Sequence, residues 1–297
     1  MDDLFHEGEV AIQEATGERH KALLNGHAIT RLVPMPARPF VALQTGFALA
    51  WQDLAGKPWV RWLEGQAGLA QVSSGGDEVE LRLPEDAPVD LQLGQALGLL
   101  FIELSSRRRL RVNGRVSQQE GALLRVAVEQ AYPNCPKYIQ RRIPQWGEAA
   151  PAPTPDVMAG QGVPDTLDVW LAETDTLFVA SVHPSHGLDC SHRGGPAGFV
   201  LREGDTLRIP DYAGNAMFGT LGNIQVYPQA GLCLLSFSRH QQLLLSGPAA
   251  IELAVPGTEQ ATGGTNRWWR VQPEQWRIAP LDSRVNWDFV DYSPFNP

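Results

Sequence analysis

The sequence is poor in cysteine and short of positive charge. Its three cysteines, Cys135, Cys190 and Cys233, lie far apart, and no CxxC pair occurs. That excludes a thiolate metal site and a disulfide framework, and free thiols fit a reducing compartment. Twenty-four Lys and Arg stand against 33 Asp and Glu, a formal net charge of −9. Such a chain has no bulk attraction for nucleic acid or for an anionic membrane. No run of about 18 apolar residues appears. The acidic Met1-Asp2-Asp3 start lacks the basic and then apolar region of a signal peptide. The expectation is a cytoplasmic protein with neither nucleic acid nor membrane as partner. No GxGxxG stands between a strand and a helix, so any nicotinamide would arrive as a diffusing substrate.

What is present is ordinary globular composition, 43% apolar and 19% charged, over 297 residues, enough for two domains. Asp2 or Asp3 is placed to cap a helix through about Ala15, closed by Gly17. His6, Glu7 and Glu9 have the composition of a metal cluster but read as a solvated helix face, and no metal is expected. A short helix at 40–44 precedes strands at 46–51, 59–63, 79–83, 98–104, 110–116 and 124–128. Their period-two alternation and short apolar runs suggest a small closed barrel. The Pro-rich stretch 147–164 reads as a linker.

After it the pattern begins again. A helix at 166–173 and a strand at 177–182 repeat the order of 40–44 and 46–51. Glu80-Leu-Arg-Leu-Pro84 resembles Thr206-Leu-Arg-Ile-Pro210, and the spacing from Gly98 to Gly114 equals that from Gly231 to Gly247. The copies differ in one place: Pro84 is 14 residues before Gly98, whereas Pro210 is 21 before Gly231. The extra residues fall in DYAGNAMFGTLGNIQVYPQA, so a ligand site is expected in the second copy, centred on 187–234. There turn residues, hydrogen-bond donors and the fixed cation Arg193 suit a phosphate carried on a flat aromatic ring. His183, His186, His192 and His240 sit at turn positions without a spacing that fixes a coordination geometry. Cys190 has no identifiable base beside it and reads as a small buried thiol.

Three motifs, SHRGGPAGFV (191–200), RIPDYAGNAMFGTLGNI (208–224) and the pair GLCLLSF (231–237) with LLLSGPAAIEL (243–253), resemble the FMN-binding split-barrel proteins related to pyridoxamine 5′-phosphate oxidase. FHEGE (5–9), SRRRLRVNGRV (106–116) and NCPKYIQRR (134–142) are similar to a subgroup in which a degenerate first barrel precedes the flavin barrel. The resemblance covers most of residues 1–255. It implies a mainly β chain of two tandem split β-barrels with short helices: a degenerate barrel with leading helix at 1–146, the linker at 147–164 and an FMN-binding barrel at 165–297. FMN would lie at an interface between two barrels, supplied by a pseudo-dimer within the chain or by a homodimer.

By position, the resemblance puts Ser191 and Arg193 by the phosphate and ribityl chain. Asp211, Asn215, Thr220 and Asn223 go to ribityl hydroxyls or the polar ring edge, and Tyr212 and Met217, with Phe218, to the ring face. Many such barrels carry a cation in the loop after Pro210, where this chain has Gly214-Asn215-Ala216-Met217. Either Arg193 does more, or the missing charge comes from elsewhere: Lys137 is the preferred source, with Arg141 and Arg142 or the Arg107–Arg111 cluster as alternatives. The Arg-Leu-His signature of true pyridoxamine phosphate oxidases is absent from 266–280, which argues against vitamin B6 oxidation. The expected function is an FMN-dependent oxidoreductase whose small-molecule substrate or electron donor, NAD(P)H or a reductase, is unspecified, with no catalytic side chain singled out. The alternative is a non-catalytic flavin or haem binder acting with a separate reductase.

Overall fold

A computed structural model describes residues 4–84, 91–147, 158–282 and 284–297. Helices α1 (Glu7–Ala15), α2 (Arg19–Gly26) and α3 (Arg38–Ala42) precede strands β1 (Gly46–Gln52), β2 (Pro58–Glu64), β3 (Ala70–Val72), β4 (Glu78–Arg82), β5 (Ala96–Glu103), β6 (Arg108–Glu120) and β7 (Leu123–Pro133). The chain continues through β8 (Arg141–Trp146), β9 (Met158–Gln161), α4 (Leu167–Glu173), β10 (Thr176–His183), β11 (Gly187–Gly194), β12 (Leu201–Glu203) and β13 (Thr206–Pro210). It ends with α5 (Gly219–Val226), β14 (Gln229–Ser236), β15 (Gln241–Glu252), α6 (Glu259–Thr262), β16 (Trp268–Val271), β17 (Gln275–Pro280) and β18 (Val285–Asp291).

The strand order of the first sheet is β2-β1-β5-β6-β7-β4-β3, and that of the second is β11-β10-β14-β15-β16-β13-β12. Counted from the first strand of each half, the two orders are the same, and every pairing is antiparallel. The chain is mainly β and carries two split-barrel units in tandem. The halves are not independent at their ends, because β18 returns to pair with β8. Part of the expected linker is a strand too: β9 adds to β17 at the edge of the second sheet.

Period-two alternation explains how the halves join. Phe47, Leu49, Leu99 and Phe101 point into the first barrel, while Ala48, Ala50, Leu100 and Ile102 on the same strands point out. In the second half Leu177, Val179, Leu232 and Leu234 point inward, and Phe178, Ala180 and Cys233 outward. The two outward sets form one buried core between the barrels, in which Trp62 stacks on Phe178 at 5.1 Å. Strands buried on both faces read as continuous apolar runs, which is why 98–104 shows no alternation.

The matched glycines sit where the backbones come closest. A Cβ on Gly98 would lie 2.6 Å from the backbone N of Cys190, and one on Gly231 would lie 2.4 Å from the carbonyl of Pro58. Each glycine abuts the edge strand of the other half, β11 or β2. A methyl group there has only backbone to displace, so Gly98→Ala is expected to destabilise by about 1–3 kcal/mol. Chemical denaturation reads this, and an unchanged midpoint would contradict the packing described.

At the N-terminus α1 starts at Glu7. His6 is its N-cap, and the His6 backbone N–H in turn donates to the Glu9 carboxylate at 3.1 Å. The expected caps Asp2 and Asp3 lie outside the described residues. Gly17, at φ 70°, closes the helix as read.

Candidate functional site

The long strand β6 belongs to the first barrel, and its alternation sends Leu110 and Val112 into that core. Arg109 and Arg111 therefore face the second half. Opposite them, β11 presents Ser191 and Arg193, and the loop 210–218 with the first turn of α5 closes the far side. The resulting cleft opens to solvent, and about 850 Å³ of empty space lies within it and its open mouth together. Five cations, Arg109, Arg111, Lys137, Arg193 and Arg267, line it against one carboxylate, Asp211. Locally the protein is cationic although the chain as a whole is acidic.

The charges are arranged unequally. Asp211 holds Arg193 Nη1 at 2.6 Å and Arg267 Nε at 2.9 Å, and Arg267 also reaches Glu18 at 2.6 Å. Arg111 pairs with Asp189 at 2.7 Å and donates to the Tyr132 hydroxyl at 2.8 Å. Arg109 has no carboxylate partner among the described residues. It donates to the Cys135 carbonyl at 3.0 Å and contacts His192 Nδ1 at 3.1 Å. Burial lowers the Arg109 guanidinium to about 10, which still leaves it charged at neutral pH. Burial, with Arg109 and Arg193 alongside, holds His192 well below the ordinary imidazole value, so it is neutral. Its Nδ1 then accepts from Arg109 and its Nε2 carries the proton; that Nε2, like Arg193 Nε, has no partner among the described residues.

The cleft also stores backbone strain. Tyr138, Ala216 and Phe218 all line it, and all are non-glycine residues at positive φ, 64°, 64° and 61°. Each such residue costs about 1–2 kcal/mol. Hydrogen bonds from the N-terminal helices hold the loop in this shape: Gln13 donates to the Met217 carbonyl at 3.0 Å and Asn25 to that of Asn215 at 2.7 Å.

Of the residues expected from sequence, Ser191, Arg193, Asp211, Tyr212, Asn215, Met217, Thr220 and Lys137 line this one cleft. Asn223 does not. It sits a turn further along α5, donates to Ser181 Oγ at 3.0 Å, and faces a separate polar cavity. Asp211 has both oxygens committed to arginines, so it sets the position of Arg193. The Ser191 and Thr220 hydroxyls bond each other at 2.9 Å, and the Lys137 ammonium lies over the Phe295 ring at 5.3 Å. Two alternative cation sources are elsewhere: Arg142 grips Asp175 with two bonds, and Arg141 pairs with Asp291. His183 and His186 also lie outside the cleft. Burial raises the Cys190 thiol well above its usual value, which removes it as a nucleophile.

Arg267 and Tyr138 were not singled out from sequence, because nothing local marks a residue that meets Asp211 from 56 positions away. Helix α5 was missed for a different reason: GTLGNIQV is glycine-rich and buried nearly all round, so it has no amphipathic period.

The position related by the repeat is filled. By strand position Arg109 corresponds to Gln242, Arg111 to Leu244 and His192 to Trp62. Gln242 is spent on the backbone of Trp62, donating to its carbonyl at 3.0 Å and accepting from its N–H at 2.8 Å. Glu64 accepts from the indoles of Trp62 and Trp287 at 2.8 and 2.9 Å, so the C-terminal strand seals this side. Among the described residues the cleft is therefore open at one of the two matching positions and filled at the other.

No protein-family model matches the chain, and no curated protein matches it either. Solved structures similar to it include HupZ of Group A Streptococcus, at 15% identity and TM-score 0.32, covering 42% of this chain and 98% of that one. An F420 reductase matches at 15% and 0.30, covering 38% and 98%. A pyridoxamine 5′-phosphate oxidase-related, FMN binding protein of Nostoc punctiforme matches at 13% and 0.28, covering 44% and 100%. At these scores the fold rests on the strand order above.

Burial pushes Glu64 up to about 7 despite its three N–H donors. A folded value above the unfolded one contributes stability that is complete below about pH 4.5 and lost as pH rises through 7. The displacement corresponds to about 3 kcal/mol. Burial lowers His6 and His192, which contribute the opposite slope over this range, so the expectation is for the difference: the stability of the wild type relative to Glu64→Gln should fall by about that much between pH 4.5 and 8. A difference between the two proteins that stays constant over that range would contradict this.

Proposed function

We propose that the cleft binds FMN and that the chain is an FMN-dependent oxidoreductase. The observation that carries the reading is Arg109, a largely desolvated cation with no acid partner among the described residues, opening onto a cleft whose other cations outnumber its one carboxylate. Buried charge without a counter-charge is costly, and a bound dianion such as a phosphate monoester removes the cost. The unpartnered donors on His192 and Arg193 fit the same guest, as does the turn of α5 that starts at Gly219.

In this reading Arg109, Arg193 and Lys137 hold the phosphate, and Asp211 with Arg267 keeps Arg193 in place. Ser191, Thr220 and Asn215 offer hydroxyl and amide groups to the ribityl chain. Tyr212, against Tyr138 at 4.9 Å, and Met217 give the ring an apolar wall. Bound flavin supplies hydride or electron transfer, so no protein nucleophile is needed. The electron donor is a diffusing nicotinamide or a separate reductase. The matching strand orders, the equivalent glycines and the single filled cleft support an internal duplication in which one copy has lost its site.

FMN is expected to bind at least a hundredfold more tightly than riboflavin, which lacks the phosphate. Arg109→Gln, the residue type found at the equivalent place in the second half, is expected to weaken FMN by about 1.5–3 kcal/mol with little change in thermal midpoint. Flavin fluorescence quenching measures both. Equal affinity for FMN and riboflavin would overturn the phosphate assignment.

A further inference from the structure

The start of α1 and the β10–β11 turn bring three imidazoles together outside the cleft. Ring centroids are 4.3 Å apart for His6 and His183, 4.6 Å for His183 and His186, and 5.6 Å for His6 and His186. Glu7 joins them, with its carboxylate 3.1 Å from His183 Nε2. The His6 and His183 side chains are only 6% and 4% exposed, so this is not the solvated helix face expected from sequence. Although buried, His6 Nε2 has no hydrogen-bond partner among the described residues. One ligand atom each from His6, Glu7 and His183 fall within 4.8 Å of one another.

We infer that His6, Glu7 and His183 form a binding site for a divalent transition metal ion, with His186 at its open side. Two imidazoles and a carboxylate converging from different elements suit zinc, nickel, copper or iron, and not the oxygen-seeking magnesium or calcium. The acidic neighbour Glu9, 3.6 Å from His6 Nε2, adds charge compensation.

The metal-free arrangement shows what loading must exchange. His6 Nδ1 accepts the N–H of Gly8 at 3.2 Å, and His183 Nδ1 accepts those of Ser185 and His186 at 3.2 and 3.1 Å. Both protons therefore sit on Nε2, towards the centre of the cluster. Binding a metal there moves each proton to Nδ1 and gives up these backbone bonds, each far weaker than a metal–imidazole bond. The consequence is mechanical. The ion would staple α1 to the β10–β11 turn, and α1 and α2 in turn brace the cleft loop through Gln13, Glu18 and Asn25.

The test uses the full chain, stripped with chelator and titrated with zinc, then with cobalt for its visible bands. One equivalent per chain is expected, with four- or five-coordinate cobalt bands and a raised thermal midpoint. His6→Ala and His183→Ala should each weaken zinc at least a hundredfold. Glu7→Gln, at a position whose side chain is 69% exposed and so poses little threat to folding, should weaken it about tenfold or more. His20→Ala on α2 should change nothing. Absence of saturable zinc binding by the wild-type chain, or full affinity retained in Glu7→Gln and the His6→Ala, His183→Ala double variant, would overturn the assignment.

Discussion

The molecule depends on the close approach of two sheets back to back. Each half buries one face of its central strands in its own barrel and the other face against its partner half. Ala48, Ala50 and Gly98 on one side, with Ala180, Cys190 and Gly231 on the other, keep the seam thin. Because the sheets meet this closely, the outward side chains of β6 reach across the seam and become a wall for residues on β11. The cleft is a property of the pair of barrels and belongs to neither alone.

Charge then distinguishes the two ends of the seam. At one end β6 and β11 carry Arg109, Arg111, Ser191 and Arg193; at the other the corresponding positions of β15 and β2 carry Gln242, Leu244, Arg61 and Leu63. The first set leaves cations facing empty space, braced by Asp211 and by helices α1 and α2. The second is closed by Trp62, Trp287 and the buried Glu64. A backbone that repeats itself has been given two different occupants, a cleft and a plug of aromatic side chains.

Much of this was legible before any coordinates. The repeat of Gly98–Gly114 in Gly231–Gly247 marked the two halves, and the seven additional residues after Pro210 marked where they differ. Alternation at 110–116 marked a strand, but it did not place Arg109 and Arg111 or say what they faced. Pairings such as Arg193–Asp211–Arg267, or Glu64 with two distant indoles, leave no trace in local pattern because each joins segments brought together only by the closed sheets. Asn223 was misplaced because a helix turned it away, and that helix has no periodic signature. The same limit hid the histidine cluster: His6 and His183 are 4.3 Å apart in space and more than half the chain apart in sequence.

The most direct test is the stoichiometry of flavin binding. Titration of the purified chain with FMN, followed by absorption and fluorescence together with the molecular mass of the complex, should saturate at one flavin per chain. Two per chain would mean that the Trp62 end of the seam also opens, and none would mean that the cations around Arg109 serve some other purpose.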